Sequence, residues 1–336
     1  MRSTIRNSAP RAAVILAGGE GIRLRSVTRF ITGQEDVPKQ FCPMMDGLTW
    51  LENARKRVSY LIPAERSFVV VKRSHRRFYE PLLGDLRRSQ VVEQPCDRGT
   101  AAAILSGILR TRRLGSDTTV AIFPSDHYVS DDVRFMRHVE RSFDAVDSHP
   151  ANVVLLGVVP DRVETSYGWI EPAGPVSAWT PKLLRVKRFW EKPRWEFART
   201  LLAGGCLWNT AIIVARASVL EAMIAEHAPG LFAAFHKAFG GVIAGDEERA
   251  REALYRTLEP VGFSEQVLTR APSSLAVQVV DDVLWSDLGE PERLIHTLQT
   301  LESRPAWLEE FARGFKRGLI GTPRPDGRGP LNRHSI

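Results

Sequence analysis

An apolar run, Val14-Ile15-Leu16-Ala17, passes directly into Gly18-Gly19-Glu20-Gly21 and then Ile22-Arg23-Leu24. The run has the composition of a strand buried on both faces, and the glycines leave a turn with a bare backbone. Such a backbone can close around phosphate groups with its N–H groups as donors, and an arginine supplies a permanent charge for the same phosphates. A strand ending in an ordinary glycine turn has the same local sequence. Two glycine-rich loops are excluded. A P-loop closes with Gly-Lys-Ser/Thr, whereas Ile22 and Arg23 follow Gly21 here. A dinucleotide fingerprint needs a third small residue where this chain has Leu24.

Strand-like and helix-like segments alternate through the first half. Apolar runs at 12–17, 68–71, 91–92, 118–123 and 153–159 predict strands. Segments 49–61, 75–83 and 99–113 predict helices, as does the spacing of Val133, Met136, Val139, Phe143 and Val146. This order predicts an α/β fold, a mostly parallel sheet with helices on both faces, and ligands beyond the carboxyl ends of its strands. After residue 160 the pattern loosens. Residues 167–181 read as a hairpin or an irregular excursion, 183–189, 211–215 and 275–280 as strands, and helices are expected from Ser218, Leu231, Asp246 and Pro291.

The expected organisation is a flexible tail at 1–11, one catalytic domain at 12–303, and a helix with a flexible basic tail at 304–336. Lys and Arg outnumber Asp and Glu by 46 to 39, a balance that suits polyanionic substrates such as nucleoside triphosphates. The local cluster Lys72-Arg73 with Arg76-Arg77 also reads as a solvated face. No nucleic-acid motif is present, so no nucleic-acid partner is expected. Cys42, Cys96 and Cys206 lack metal-type spacing and fit a reducing, cytoplasmic setting. Residues 1–11 lack the apolar core of a signal peptide, and no run approaches the roughly 20 apolar residues of a membrane helix.

Eight short motifs follow one another: Leu16-Ala17-Gly18-Gly19 with Gly21-x-Arg23-Leu24; Pro38-Lys39-Gln40-Phe41; Glu93-Gln94-Pro95 with Gly99-Thr100-Ala101; Pro124-Ser125-Asp126-His127; Tyr167-Gly168-Trp169-Ile170; Phe189 with Glu191-Lys192-Pro193; Trp208-Asn209-Thr210; and Trp285-Ser286-Asp287-Leu288-Gly289. In this order they resemble the sugar-1-phosphate nucleotidylyltransferases, and most closely their mannose-1-phosphate guanylyltransferase branch. The resemblance spans about residues 12–300. It implies a Rossmann-like, mixed but mostly parallel sheet of the nucleotide-diphospho-sugar transferase type. It also implies a reaction in which a sugar phosphate oxygen attacks the α-phosphorus of a nucleoside triphosphate and pyrophosphate leaves. The attacking oxygen is already an anion, so the protein's task is positioning and charge compensation.

The resemblance assigns roles residue by residue. Leu16, Ala17, Gly18, Gly19 and Gly21 would cradle the triphosphate. Arg23, Lys39 and Asp126 would be catalytic, with Arg23 and Asp126 also contacting nucleotide. Glu93, Gly99 and Thr100 would meet the base. Gly168, Glu191, Lys192 and Asn209 would bind the sugar phosphate. Glu191 and Lys192 reach one ligand only if the strand ends there, because neighbouring strand residues point to opposite faces. Asp126 and Asp287 would hold Mg²⁺, which favours one or two carboxylates plus phosphate oxygens and water.

Plainer readings stand beside these. Asp126 is also a helix cap or turn aspartate, Asp287 a Ser-Asp-x-Gly turn residue, Lys39 a loop lysine, His127 a turn cap, and Trp169 and Trp208 core residues. The chain departs from the family in several places, and Arg25-Ser26-Val27-Thr28 replaces its usual aromatic-Pro-Leu-Ser/Thr stretch. Ile22 replaces a threonine, a longer acidic loop with Glu35 and Asp36 lies between Thr28 and Pro38, and Gly99 replaces the asparagine of the guanylyl branch. Glu265 lies where that branch has an aspartate-tyrosine run. The resemblance implies GTP and mannose 1-phosphate as the substrates, giving GDP-mannose. Another triphosphate or sugar 1-phosphate is the alternative, and a catalytically weak nucleotide-sugar-binding regulatory subunit is the reading from a different class. No isomerase domain or β-helix repeat is expected after the catalytic region, and a homo-oligomer is compatible with the sequence.

Overall fold

The run ahead of the glycines is a strand, β1 (Arg11–Ala17), whose buried side chains feed two cores. Ala13, Ile15 and Ala17 enter one core while Ala12 and Val14 enter the other, as the strand pleat requires. A strand buried on both faces must be apolar throughout, so this run shows no polar alternation. The computed structural model describes residues 9–45, 47–115, 117–239, 247–301 and 304–318.

The strands that follow are β2 (Ser67–Lys72), β3 (Val91–Gln94), β4 (Thr119–Pro124), β5 (Tyr128–Val129), β6 (Val153–Val158), β7 (Gly168–Pro175), β8 (Leu183–Glu191), β9 (Leu207–Arg216), β10 (Leu275–Val280) and β11 (Trp285–Ser286). Nine of them form a mixed sheet in the order β3-β2-β1-β4-β9-β6-β10-β8-β7. The pairs among β3, β2, β1 and β4 are parallel, in the part of the chain where alternation is regular. Antiparallel pairing enters with β9, which lies between β4 and β6, and with β8 beside β10. The hairpin β7–β8 returns to the start of β9, so β9, β6, β10, β8 and β7 pair in a closed cycle.

Helices cover both faces. Trp50–Ser59, Asp132–Ser148, Pro291–Gln299 and Leu308–Lys316 pack on the face that holds Ile15. Gly99–Thr111, Ala217–His227, Pro229–Phe239 and Glu247–Thr257 pack on the face that holds Val14. No described helix is long and apolar enough to cross a membrane.

Several local expectations need correction. The helix expected at 75–83 survives only as Arg76–Tyr79, capped by Glu80, because Pro81 has no N–H to continue the helical hydrogen-bond ladder. The acidic stretch after Thr28 is partly helical: Arg25–Thr32 is a helix closed by Gly33 in the left-handed region. The strand expected at 211–215 begins at Leu207 and so includes the Trp-Asn-Thr motif. The helix Trp195–Ala203 had no counterpart in the sequence reading. Residues 1–8 and 319–336, and the expected helix start at Asp246, lie outside the described residues.

Candidate active site

The glycine loop is braced from below by the Pro-Lys-Gln-Phe segment. Pro38 is extended and precedes a single turn, Lys39–Phe41. The Gln40 amide donates to the carbonyls of Ala17 (3.0 Å) and Gly19 (2.8 Å), pinning both ends of the bend. Gly21 has φ 60, and a Cβ there would lie 2.9 Å from the Lys39 nitrogen, so only glycine fits. Gly18 lies close to Gln94, the Leu16 carbonyl accepts from the Ser125 N–H, and Gly19 faces open space. Glu20 pairs with Lys72, a buried lysine at the end of β2 whose pKa is lowered by burial. The sequence placed Lys72 only within a basic cluster; its position under the loop comes from the β1–β2 register.

Asp126 and Asp287 are brought together by the small antiparallel pair β5–β11. Tyr128 pairs with Ser286 and Val129 with Trp285, so the residues flanking this ladder meet. Lys39 reaches into the same point. Its ammonium lies 3.1 Å from Asp126 Oδ2 and also donates to the backbone carbonyl of Asp287. The lysine side chain is buried, whereas that of Asp126 is 35% exposed. Asp131, not Asp126, caps the following helix.

Asp287 is held on one oxygen. Its Oδ1 accepts from the Tyr167 hydroxyl (2.8 Å), the Gly289 N–H (2.9 Å) and the Arg293 guanidinium. The turn reading and the site reading are therefore both satisfied, because the Gly289 bond closes the turn while Oδ2 accepts nothing from the described residues. Burial works to raise the Asp287 pKa, but the charges of Arg293 and Lys39 outweigh it and hold the carboxyl below its usual range. Arg293 also donates to Glu164 (2.8 Å) and Ser166 (2.7 Å), and its guanidinium lies 4.6 Å from the Tyr167 ring centroid. Tyr167 stood inside a quoted motif without a role. Arg293 carried no local signal, since its partners Glu164 and Ser166 lie 129 and 127 residues away. His127 is largely buried, packs edge-on against Trp285, and has a pKa pushed down to about 4 by burial.

The sugar-phosphate candidates gather at the end of β8. The strand stops at Glu191, and Lys192 adopts φ 45, which turns its ammonium back to within 2.6 Å of the Glu191 carboxylate. Gly168 sits opposite Glu191, and a Cβ there would lie 3.0 Å from Glu191 Oε2. Asn209 is buried, and its Oδ1 accepts from the Ala211 N–H at 3.2 Å across a bulge in β9. Among the described residues, the non-glycine residues with positive φ are Lys192, Ala211 and Leu288. Each lies on or within two residues of a candidate position, and local strain of this kind concentrates at functional sites. Trp169 and Trp208 are buried core residues.

Other candidates are placed differently. Arg23 is exposed, bonds Glu290 at 2.5 Å, and stands beside Gly289. Glu93 points away from the glycine loop into Arg73, Arg76 and Tyr79. Burial alone would raise its pKa, but those donors lower it. Gly99 has φ 82 and packs directly on the Val261 carbonyl, while Thr100 accepts from the Phe263 N–H at 2.8 Å. Ile22 is 48% exposed.

The described residues contain no cluster of three or more His, Cys, Asp or Glu side chains able to hold a metal ion. A cation at Asp126 and Asp287 would take its remaining ligands from phosphate oxygens and water, as Mg²⁺ does with nucleotides. The open Asp287 Oδ2 and the partly exposed Asp126 carboxylate fit that requirement.

Residues 12–304 match the nucleotidyl transferase family. The xanthan biosynthesis protein XanB of Xanthomonas campestris is 30% identical over 291 residues, covering 84% of this chain and 58% of that protein. The mannose-1-phosphate guanylyltransferase of Escherichia coli is 28% identical over 287 residues, covering 82% of this chain and 57% of that protein. The chain thus spans a little over half the length of these relatives. A solved structure from Thermus thermophilus, described as a mannose-1-phosphate geranyltransferase, superposes with a TM-score of 0.74 at 26% identity, over 88% of this chain and 80% of that one.

Proposed function

The chain belongs to the nucleotidyl transferase family, and we propose that it transfers the nucleoside monophosphate unit of GTP to mannose 1-phosphate. A phosphate oxygen of the sugar phosphate forms a bond to the α-phosphorus. The bond from that phosphorus to the β-phosphate oxygen breaks, and pyrophosphate leaves with the electron pair. No side-chain base is required. The convergence of Lys39, Asp126 and Asp287 beneath the glycine loop carries this reading, since three groups from distant segments meet where a triphosphate would lie.

The backbone N–H groups of 18–21 bind the triphosphate, and Lys39 and Arg23 offset the charge that grows at the reacting phosphates. Glu191 orients sugar hydroxyls, and Lys192 takes the sugar phosphate. Asp126 and Asp287 Oδ2 are the residues that would hold Mg²⁺, which when bound neutralises phosphate charge. The names of the bacterial relatives support mannose 1-phosphate and GTP. Free Cys42, Cys96 and Cys206 fit a cytoplasmic reaction.

One observation favours a different triphosphate. Gly99 replaces an asparagine expected in the guanylyl branch, and its contact with Val261 leaves no room for a side chain. A panel of triphosphates and sugar 1-phosphates, assayed with Mg²⁺ for pyrophosphate release, decides the matter. GTP with mannose 1-phosphate is expected to turn over fastest. Preference for UTP or dTTP would reject the guanylyl assignment, and no turnover with any pair would support a binding subunit.

A further inference from the structure

A cleft of about 710 Å³ runs along the unpaired edge of β3, and neither the glycine loop nor Lys39, Asp126 or Asp287 lines it. One wall carries Arg110 and Arg113, at and just beyond the end of the helix Gly99–Thr111, together with Arg251 from Glu247–Thr257. All three point at one carboxylate, Glu247, at 3.1, 3.6 and 3.9 Å. The whole cleft is lined by six arginines, with Arg73, Arg76 and Arg88 joining these three, and by four glutamates, Glu80, Glu93, Glu247 and Glu248, an excess of two positive charges among the described residues.

The side chains of Arg110 and Arg251 are only 17% and 14% exposed, and among the described residues the carboxylate that each meets is Glu247. A guanidinium has five N–H donors, and leaving them unused near a protein interior is costly. Burial lowers the Arg110 pKa, and the neighbouring Arg251 and Arg113 charges keep it below its ordinary value despite Glu247. Across the cleft stand Arg73 and Arg76, both bonded to Glu93, with Arg73 also paired to Glu252 and Glu248, and Arg88, which is exposed and pairs with no described residue.

We infer that this cleft is a second anion site, one that takes a small molecule bearing two or more phosphoryl groups. Guanidiniums meet phosphate oxygens in bidentate fashion, and their presence on both walls suits more than one phosphoryl group. The site also has a route to the nucleotide segment. The helix that carries Arg251 carries Tyr255, whose hydroxyl accepts from Gln94 at 2.6 Å and whose carbonyl accepts from Arg98 at 2.8 Å.

The test is calorimetric titration of the full chain with inorganic tripolyphosphate. It reads binding, so its outcome is independent of whether GTP turns over. Two sites are expected. Lys39→Ala should weaken one, and Arg251→Gln or Arg110→Gln should weaken the other at least tenfold without changing the far-ultraviolet spectrum. If the buried arginine variants fail to fold, the more exposed Arg113→Gln serves, with a loss of about threefold or more expected. The inference is overturned by a single site that the arginine variants leave intact, by two sites that they both leave intact, or by sulfate binding the second site equally well, which would mean an adventitious ion only. It is also overturned if sedimentation shows a dimer that Arg251→Gln dissociates, since a second copy would then cover the cleft.

Discussion

The Tyr167 hydroxyl donates to Asp287 Oδ1 at 2.8 Å, joining the start of β7 to the turn after β11. Tyr167 immediately precedes Gly168, which faces Glu191, so this bond links the sugar-phosphate side of the site to the carboxylate pair. It also fixes which oxygen of Asp287 stays open. Three donors converge on Oδ1, and Oδ2 is the oxygen left open among the described residues.

Tyr167→Phe should remove one of these donors while keeping the ring packed on Trp208 and Trp285. Hydrogen bonds to charged groups contribute roughly 1.5–3 kcal/mol, so stability should fall by about 2 kcal/mol in urea unfolding. We expect kcat to fall by about tenfold with a smaller change in KM, because a wandering Oδ1 misplaces Oδ2. Unchanged kcat would show that the tyrosine serves packing alone.

Arg293→Met should be more damaging. It strands the Asp287 and Glu164 carboxylates, both largely buried, without their shared cation. Breaking a buried pair on one side costs about 3–5 kcal/mol, read here as a large drop in Tm. Arg293→Lys should recover part of the stability but little activity, since an ammonium cannot serve Asp287, Glu164 and Ser166 together in the planar geometry of the guanidinium.

Acid should destabilise the fold through His75. Burial, and then the Lys72 charge, push its pKa down to about 4, so the native state holds it neutral. The unfolded chain takes up this proton near pH 6.5, so stability is fully present above about 6.5 and is lost as pH falls toward 4. His75→Gln should flatten the stability–pH curve between those values in urea titrations. An unchanged slope would contradict the assignment.

Gly99→Asn restores the residue type expected in the guanylyl branch but not its surroundings. The new Cβ would run into the Val261 carbonyl, so overpacking should cost about 1–3 kcal/mol. Selectivity for GTP should not rise, measured as the ratio of kcat/KM for GTP and UTP. A gain in GTP preference without loss of stability would show that the 99–101 segment repositions easily.

Much of this was legible in the sequence because the signals are local. The apolar run at 12–17, the glycines after it, and the period of Met136, Val139 and Phe143 each report a neighbourhood of a few residues. The ending of β8 at Glu191 was legible for the same reason, from Pro193. What was not legible depends on pairing across long separations. Arg293 meets Glu164 only after β11 and its following helix pack beside the β6–β7 connection. The turning of Glu93 toward Arg73 and Arg76 follows from β3 being the last strand of the sheet, which no motif announces. The closed cycle through β7 and β9 likewise depends on one short contact, Trp169 with Trp208 and Ile170 with Leu207.

The central claim is that Lys39, Asp126 and Asp287 form one charge-compensating site for triphosphate chemistry. Its most direct test is Mg²⁺-dependent pyrophosphate release from GTP and mannose 1-phosphate by the Asp126→Asn and Asp287→Asn variants. Each substitution is near-isosteric and should leave unfolding cooperative, while kcat falls by on the order of a hundredfold or more. Full activity in both variants would contradict the account.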